Sequence, residues 1–145
     1  MRFFRFLLFC VIVVLILFIA FFIYSSYRGP IKSYVEKKKQ EKYANVRVEV
    51  LNAAGVRGLS RKVTFKLRKI GFDVVYYGNT KQILDKTVVV ERVSPEMENA
   101  KLLAKEIGCE IITFEPDPNK LLEVSLVVGK DYKNYFPDIE KEIYY

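Results

Sequence analysis

The sequence predicts a small two-layer α/β domain, β-α-β-β-α-β-β in chain order, behind one N-terminal transmembrane helix. Three observations predict it. An uncharged apolar run, FLLFCVIVVLILFIAFFIY, occupies Phe6 to Tyr24. Short valine-rich segments recur from Val46 to Val128, and two stretches between them carry apolar residues at helical spacing and end in glycine. The chain has 145 residues, room for one such domain and a linker after the span, not for two domains.

A helix over Phe6–Tyr24, at 1.5 Å per residue, is about 28 Å long, enough to cross the hydrocarbon core. It is apolar all round, which excludes an amphipathic surface helix. A cleaved signal peptide has a shorter apolar region and small residues before the cut, and Tyr24-Ser25-Ser26-Tyr27-Arg28 offers no such site. Cys10 follows Phe9, which excludes a lipoprotein cysteine. Phe3, Phe4, Tyr24 and Tyr27 fit an interfacial aromatic belt. The expected layout is a flank at 1–5, the transmembrane helix at 6–24 and a charged juxtamembrane linker at 25–45. The α/β domain follows at 46–132, and a C-terminal tail at 133–145. Gly29-Pro30 is expected to break the membrane helix, leaving Ile31–Tyr43 as a separate short helix or spacer. Arg2 and Arg5 precede the span, while Arg28, Lys32, Lys37, Lys38, Lys39 and Lys42 follow it. A literal positive-inside count therefore places the domain in the cytoplasm.

Within the domain, Val46, Val48 and Val50 alternate with Arg47 and Glu49, the pattern of a half-buried strand. Asn52 to Gly58 is a turn, and the helix after it aligns Leu59, Val63, Leu67 and Ile70 on one face before Gly71 stops it. Asp73–Tyr77 and Thr87–Val93 are the next strands. Ser94-Pro95-Glu96 reads as the start of the second helix, with Ser94 as N-cap and Pro95 at the first helical position. Met97, Ala100, Leu103, Ala104 and Ile107 form its buried stripe, and Gly108 ends it. Ile111–Phe114 and Leu122–Val128 complete the set of strands.

Composition excludes several activities. There is no histidine, so Ser-His-Asp and Cys-His nucleophile arrangements are absent, as is the commonest ligand of catalytic zinc. Cys10 lies in the apolar run and Cys109 far along the chain, so neither a disulfide framework nor a cysteine metal site is expected. Gly55-x-x-Gly58 lacks both dinucleotide and Walker fingerprints, and structural glycines in a tight turn account for it. Glu91, Glu96, Glu98, Glu115, Asp117 and Asp131 suit caps and exposed faces and show no acid/base pairing. The expectation is a non-catalytic protein with no cofactor and no metal. The net charge of +7 suits an anionic partner. Much of it can equally be solvated surface, but on the outer face of the first helix Arg57, Arg61, Lys62, Arg68 and Lys69 flank Phe65. Asn52, Gly55, Arg57, Gly58, Arg61, Phe65 and Arg68 are therefore the candidate binding residues. The competing expectation has Phe65 covered by the tail around Tyr135 and Phe136.

Val46-x-Val48-x-Val50-Leu51-Asn52-Ala-Ala-Gly55-x-x-Gly58-Leu59, followed by Leu67-x-x-Ile70-Gly71-Phe72-x-Val74, resembles the opening of the LytR C-terminal domain. Thr87-Val-Val-Val, Ala100-x-x-Leu103-Ala104-x-x-Ile107-Gly108 and Val127-Val128-Gly129-Lys130-Asp131-Tyr132 resemble its later segments, in order. Ala53 departs from the glycine usual after the asparagine. The catalytic domain of LytR–CpsA–Psr proteins is about twice this length and is not part of the match. The resemblance thus implies a stand-alone, membrane-anchored, non-catalytic module of the bacterial cell envelope. It implies a single-pass protein of the cytoplasmic (inner) membrane whose domain faces outward, against the charge count. Beyond the lipid bilayer, the implied partners are peptidoglycan, another acidic envelope polymer or a cell-envelope protein, with no nucleic acid. The alternative is a cytoplasm-facing scaffold binding anionic lipid or nucleic acid.

Overall fold

The structure is a computed structural model that describes residues 2–119 and 121–141; the side chains of residues 2, 3 and 27–31 lie outside the description. The Phe3 and Tyr27 rings of the expected aromatic belt therefore fall outside it, as do residues 142–145 of the expected tail. The chain divides into two compact units, 1–39 and 40–145.

The first unit is most of α1 (Arg2–Ala44), in which Phe4–Ser26 is long and apolar enough to cross a membrane, 23 residues with a mean hydropathy of 3.6. The helix runs through Gly29 and Pro30, where a break is expected from sequence. The physical reason is local. An interior proline costs about 3 kcal/mol, through one lost hydrogen bond and crowding of the carbonyl four residues back. The turns on either side keep their own ladders, so the helix continues.

The second unit opens with the last turn of α1. Tyr43 stacks on Phe72 at 4.5 Å between ring centroids, and its hydroxyl donates to Glu106 Oε2 at 2.7 Å. The elements that follow are β1 (Arg47–Asn52), α2 (Leu59–Ile70), β2 (Asp73–Asn79), β3 (Val88–Glu91), α3 (Glu98–Ile107), β4 (Ile112–Phe114) and β5 (Val124–Val128). A short α4 (Tyr132–Tyr135) and a 3₁₀ turn (Ile139–Lys141) end the described chain. This is the β-α-β-β-α-β-β order that the sequence predicts.

The sheet runs β2-β1-β5-β3-β4. β1 is parallel to β2 and β5, β3 is parallel to β4, and β3 is antiparallel to β5. Two crossover units, β1-α2-β2 and β3-α3-β4, therefore flank β5 on opposite sides. In-register residues Val48 and Val124, Val50 and Leu126, and Val89 beside Leu126 all point to one face. Leu59, Val63 and Leu67 of α2 and Leu103 and Ala104 of α3 cover that face in a single core. Burial of each of these valine and leucine side chains contributes about 1.5–3 kcal/mol. Phe136 and Ile139 also belong to this core, so the described part of the tail is packed structure.

Glycine terminates α2 as the sequence predicts. Gly71 adopts φ 118°, and its N–H reaches the carbonyls of Leu67 and Arg68, both at 3.1 Å. The start of α3 departs from expectation. Ser94 is not its N-cap: Ser94 to Met97 is a separate turn closed by the Met97 N–H on the Ser94 carbonyl (3.1 Å), and α3 begins at Glu98. Its cap comes from the sheet instead. The fully buried Glu91, at the end of β3, accepts the Ala100 N–H on Oε2 at 2.8 Å. Its Oε1 accepts from Asn99 Nδ2 at 3.2 Å and the Val93 N–H at 3.3 Å. A carboxylate here meets the positive end of the helix dipole and occupies the place foreseen for Ser94.

Candidate functional site

The turn between β1 and α2 is organised by Asn52, which is 4% exposed. Its Nδ2 donates to the Val56 carbonyl at 2.8 Å and to Asn79 Oδ1 at 2.9 Å, while its Oδ1 accepts the Ala54 N–H at 3.1 Å. This amide holds the turn together and ties the ends of β1 and β2, where Asn52 and Asn79 are in register. Ala53 is fully buried beside it, its N–H on the Val128 carbonyl at 2.8 Å, so the turn accommodates a methyl group at this position. Gly55 (φ 73°) and Gly58 (φ 74°) supply left-handed positions that only glycine adopts without strain. Gly58 caps α2 with no side-chain hydrogen bond.

A cavity of about 280 Å³ opens over this turn, lined by Asn52, Gly55, Val56, Arg57, Asn79, Thr80 and Ile83. Asn79, Thr80 and Ile83 escape the sequence reading, because they end or follow β2 and only the parallel pairing of β1 with β2 brings them here. That pairing leaves no local signal in the chain.

Along α2, Arg61 and Arg68 are exposed and Phe65 is 38% exposed. The Lys69 ammonium lies 5.7 Å from the Phe65 ring centroid, a cation–π contact. With the described part of the tail in place, Phe65 stays 38% exposed. Phe136 and Ile139 pack instead on the neighbouring flank, with Lys66 Nζ 5.9 Å from the Phe136 ring centroid and Lys62 Nζ donating to the Glu140 carbonyl at 3.5 Å. Arg68 is committed elsewhere: its Nη2 donates to the Val74 carbonyl of β2 at 2.6 Å. Arg57, Arg61, Phe65 and Arg68 are all exposed, while Asn52, Gly55 and Gly58 shape the turn before α2 and Arg68 also reaches β2.

A second polar group lies on the sheet face away from the helices. Ser125 Oγ donates to Glu49 Oε1 at 2.5 Å, Arg92 Nε donates to Ser125 Oγ at 2.8 Å, and Arg92 Nη1 pairs with Glu115 Oε2 at 3.1 Å. Glu49, Arg92 and Glu115 border a cavity of about 360 Å³ under the Pro116–Pro118 loop. The Asn119 and Leu121 N–H groups hold the Asp117 carboxyl below the usual carboxylate range. Nearby, burial works to raise the Glu123 carboxyl, but the Arg47 side chain and backbone N–H outweigh it and leave Glu123 below its ordinary value. Each of these charges has a partner, as buried and half-buried polar groups generally do. Among the described residues, no group of three or more His, Cys, Asp or Glu side chains is placed to hold a metal ion.

The family model LytR_C, described as LytR cell envelope-related transcriptional attenuator, matches residues 45–132. The chain belongs to the LytR_C family. Such domains are generally non-catalytic regulatory or binding modules, and membership assigns this one to the cell envelope. The LytR_C domain is similar to the soluble domain of a conserved hypothetical secreted protein from Mycobacterium marinum, with a TM-score of 0.50 at 19% identity. The match covers 67% of this chain and 70% of that one, and at this identity it shows a shared fold. No curated protein matches the chain. The apolar N-terminal helix has the form of a membrane anchor or a signal sequence.

Proposed function

We propose that the chain is a single-pass protein of the cytoplasmic (inner) membrane that holds its LytR_C domain outside the cytoplasm. In this reading residues 6–24 are a retained anchor, and the domain binds an acidic envelope polymer such as peptidoglycan, with no catalytic step and no cofactor. One observation carries it: Arg57, Arg61 and Phe65 are exposed together on the turn and helix, while Phe136 and Ile139 of the tail pack into the core. Cations beside an aromatic face suit a polymer that alternates anionic groups with sugar rings. Asn52 and Arg68 act in this reading by fixing the frame.

Two measurements test it. Alkaline phosphatase fused after Tyr145 is expected to be active. An inactive fusion, with an active cytoplasmic reporter at the same position, removes the outward-facing reading and favours the scaffold on the cytoplasmic side. The substitution pair Arg57→Glu and Arg61→Glu is expected to leave stability within about 0.5 kcal/mol, because both sites are exposed. Retention on purified peptidoglycan carrying its anionic polymers should fall about tenfold, equivalent to about 1.4 kcal/mol. Wild-type retention by the double variant in low salt, where screening is weakest, places the binding site elsewhere.

A further inference from the structure

We propose that the free edge of β2 pairs with the same edge of a second copy of this chain, antiparallel, across a two-fold axis at Tyr77. This goes beyond the polymer-binding reading, uses none of its outward-facing residues, and stands or falls separately from it.

The sheet has two edges, β2 and β4, and they are treated differently. An edge strand offers unpaired N–H and C=O groups, and proteins guard such edges with brevity, proline, charge or bulges. β4 is guarded: it has three residues and runs into Pro116 and Pro118. β2 has seven residues, DVVYYGN, with neither lysine nor proline. Its first half carries two guards. Arg68 occupies the Val74 carbonyl at 2.6 Å, and the register with β1 shifts between Val48 and Glu49. The second half has none. Val75, Tyr76 and Tyr77 are 48%, 55% and 45% exposed, and among the described residues β2 pairs only with β1.

A particular register follows from these features. With the axis at Tyr77, residues 75–79 of the two copies pair and the capped Val74 carbonyl stays outside the ladder. Tyr76 falls opposite Gly78 of the other copy, which has no side chain of its own to clash with it, and the Tyr76 ring already lies over Gly78 of its own chain. Asp73 falls opposite Lys81, both exposed, so each end of the ribbon gains an ion pair of opposite charge. Sliding the register by one residue at either copy sets Asp73 against neutral Thr80 or Gln82 and loses this complementarity. Self-pairing is thus favoured over addition of an arbitrary strand, which supplies no matching lysine.

The test is disulfide capture in the full chain in detergent micelles, on a Cys10→Ser background because Cys10 is exposed while Cys109 is buried. Residues on a two-fold antiparallel axis have Cα atoms about 4.5–5.5 Å apart, within disulfide range. Tyr77→Cys is expected to give at least about ten times the linked dimer of Glu98→Cys, an exposed position on α3, a ratio equivalent to about 1.4 kcal/mol. Adding Asp73→Lys should cut the yield severalfold, and adding Lys81→Asp to that variant should restore it. Val75→Lys, a guard placed on the open half, should abolish linking while leaving the melting curve unchanged. The proposal is overturned if Tyr77→Cys links no better than Glu98→Cys or if the charge swap does not rescue. It is also overturned if Tyr77→Cys expressed in cells is captured by a different protein in preference to its own copy, which makes the edge a site for a foreign strand.

Discussion

Replacing Glu91 by alanine is expected to lower the unfolding free energy by about 3 kcal/mol, more than any substitution on the surface of α2. Glu91 is fully buried, and its two oxygens serve the Ala100 N–H, the Asn99 amide and the Val93 N–H. Removing the carboxylate leaves these donors without an acceptor at the start of α3, and it leaves a void where the side chain stood. An orphaned buried donor costs about 1–3 kcal/mol, and loss of an N-cap costs about 0.5–2 kcal/mol. The two overlap here, so the sum stays near the stated figure. Glu91→Gln keeps one acceptor oxygen and loses the charge at the dipole, a penalty of about 1 kcal/mol. Denaturant unfolding of the full chain in detergent measures both variants. Equal midpoints for Glu91→Ala and Glu98→Ala, the latter at an exposed site in the first turn, would show that Glu91 caps nothing.

Most of the fold is legible in the sequence because its signals are local. Alternation of Val46, Val48 and Val50 marks the strand, i/i+4 spacing of Leu59, Val63 and Leu67 marks the helix, and all six are buried in the structure. Glycine at 71 and 108 ends each helix as its freedom at positive φ predicts. What the sequence misplaces depends on contacts between distant residues. Ser94-Pro95 has the composition of a helix start, yet a carboxylate from β3 takes the capping role and the helix begins at Glu98. Gly29-Pro30 has the composition of a helix break, yet one missing hydrogen bond does not stop a helix with long flanks.

The candidate site divides along the same line. Arg57, Arg61 and Phe65 are found from helical spacing alone, and they are outward in the structure. Asn52 is found as well, as a candidate binding residue of the turn, and in the structure its side-chain amide is spent on Val56 and Asn79. Arg68 belongs to the basic arc by angle and to the sheet by contact, since its guanidinium sits on the Val74 carbonyl. Nothing in the sequence distinguishes Arg61 from Arg68, because both are cations on one face. That Arg68 reaches the Val74 carbonyl emerges only when β2 lies parallel to β1 under α2. The cavity-lining Asn79, Thr80 and Ile83 and the Glu49–Ser125–Arg92 circuit are illegible for the same reason: strand order is not written in any one segment.

Gly129→Ala is expected to be as damaging as loss of Glu91, about 3 kcal/mol, through a different mechanism. Gly129 closes β5 where it passes the Lys86–Thr87 peptide. A Cβ at this position would fall on the Lys86 carbonyl carbon, 2.5 Å from its oxygen and 2.8 Å from the Thr87 nitrogen. All three are backbone atoms and cannot rotate away. Either β5 or the segment before β3 must shift, and both belong to a buried lock. The Gly129 N–H donates to Thr87 Oγ1 at 3.0 Å, while Asp131 Oδ1 accepts both the Thr87 N–H and its hydroxyl at 2.7 Å each. Thr87 is fully buried, so a shift that breaks this lock leaves polar groups without partners. Gly108→Ala is the control. It has a positive φ of 77° but open space around the added methyl group, so only backbone strain of about 1 kcal/mol is expected. Thermal melts of the two variants separate the mechanisms, with Gly129→Ala falling well below Gly108→Ala. If the two melt together, backbone strain accounts for both, and the close passage of β5 over Lys86 is not what requires glycine at this position.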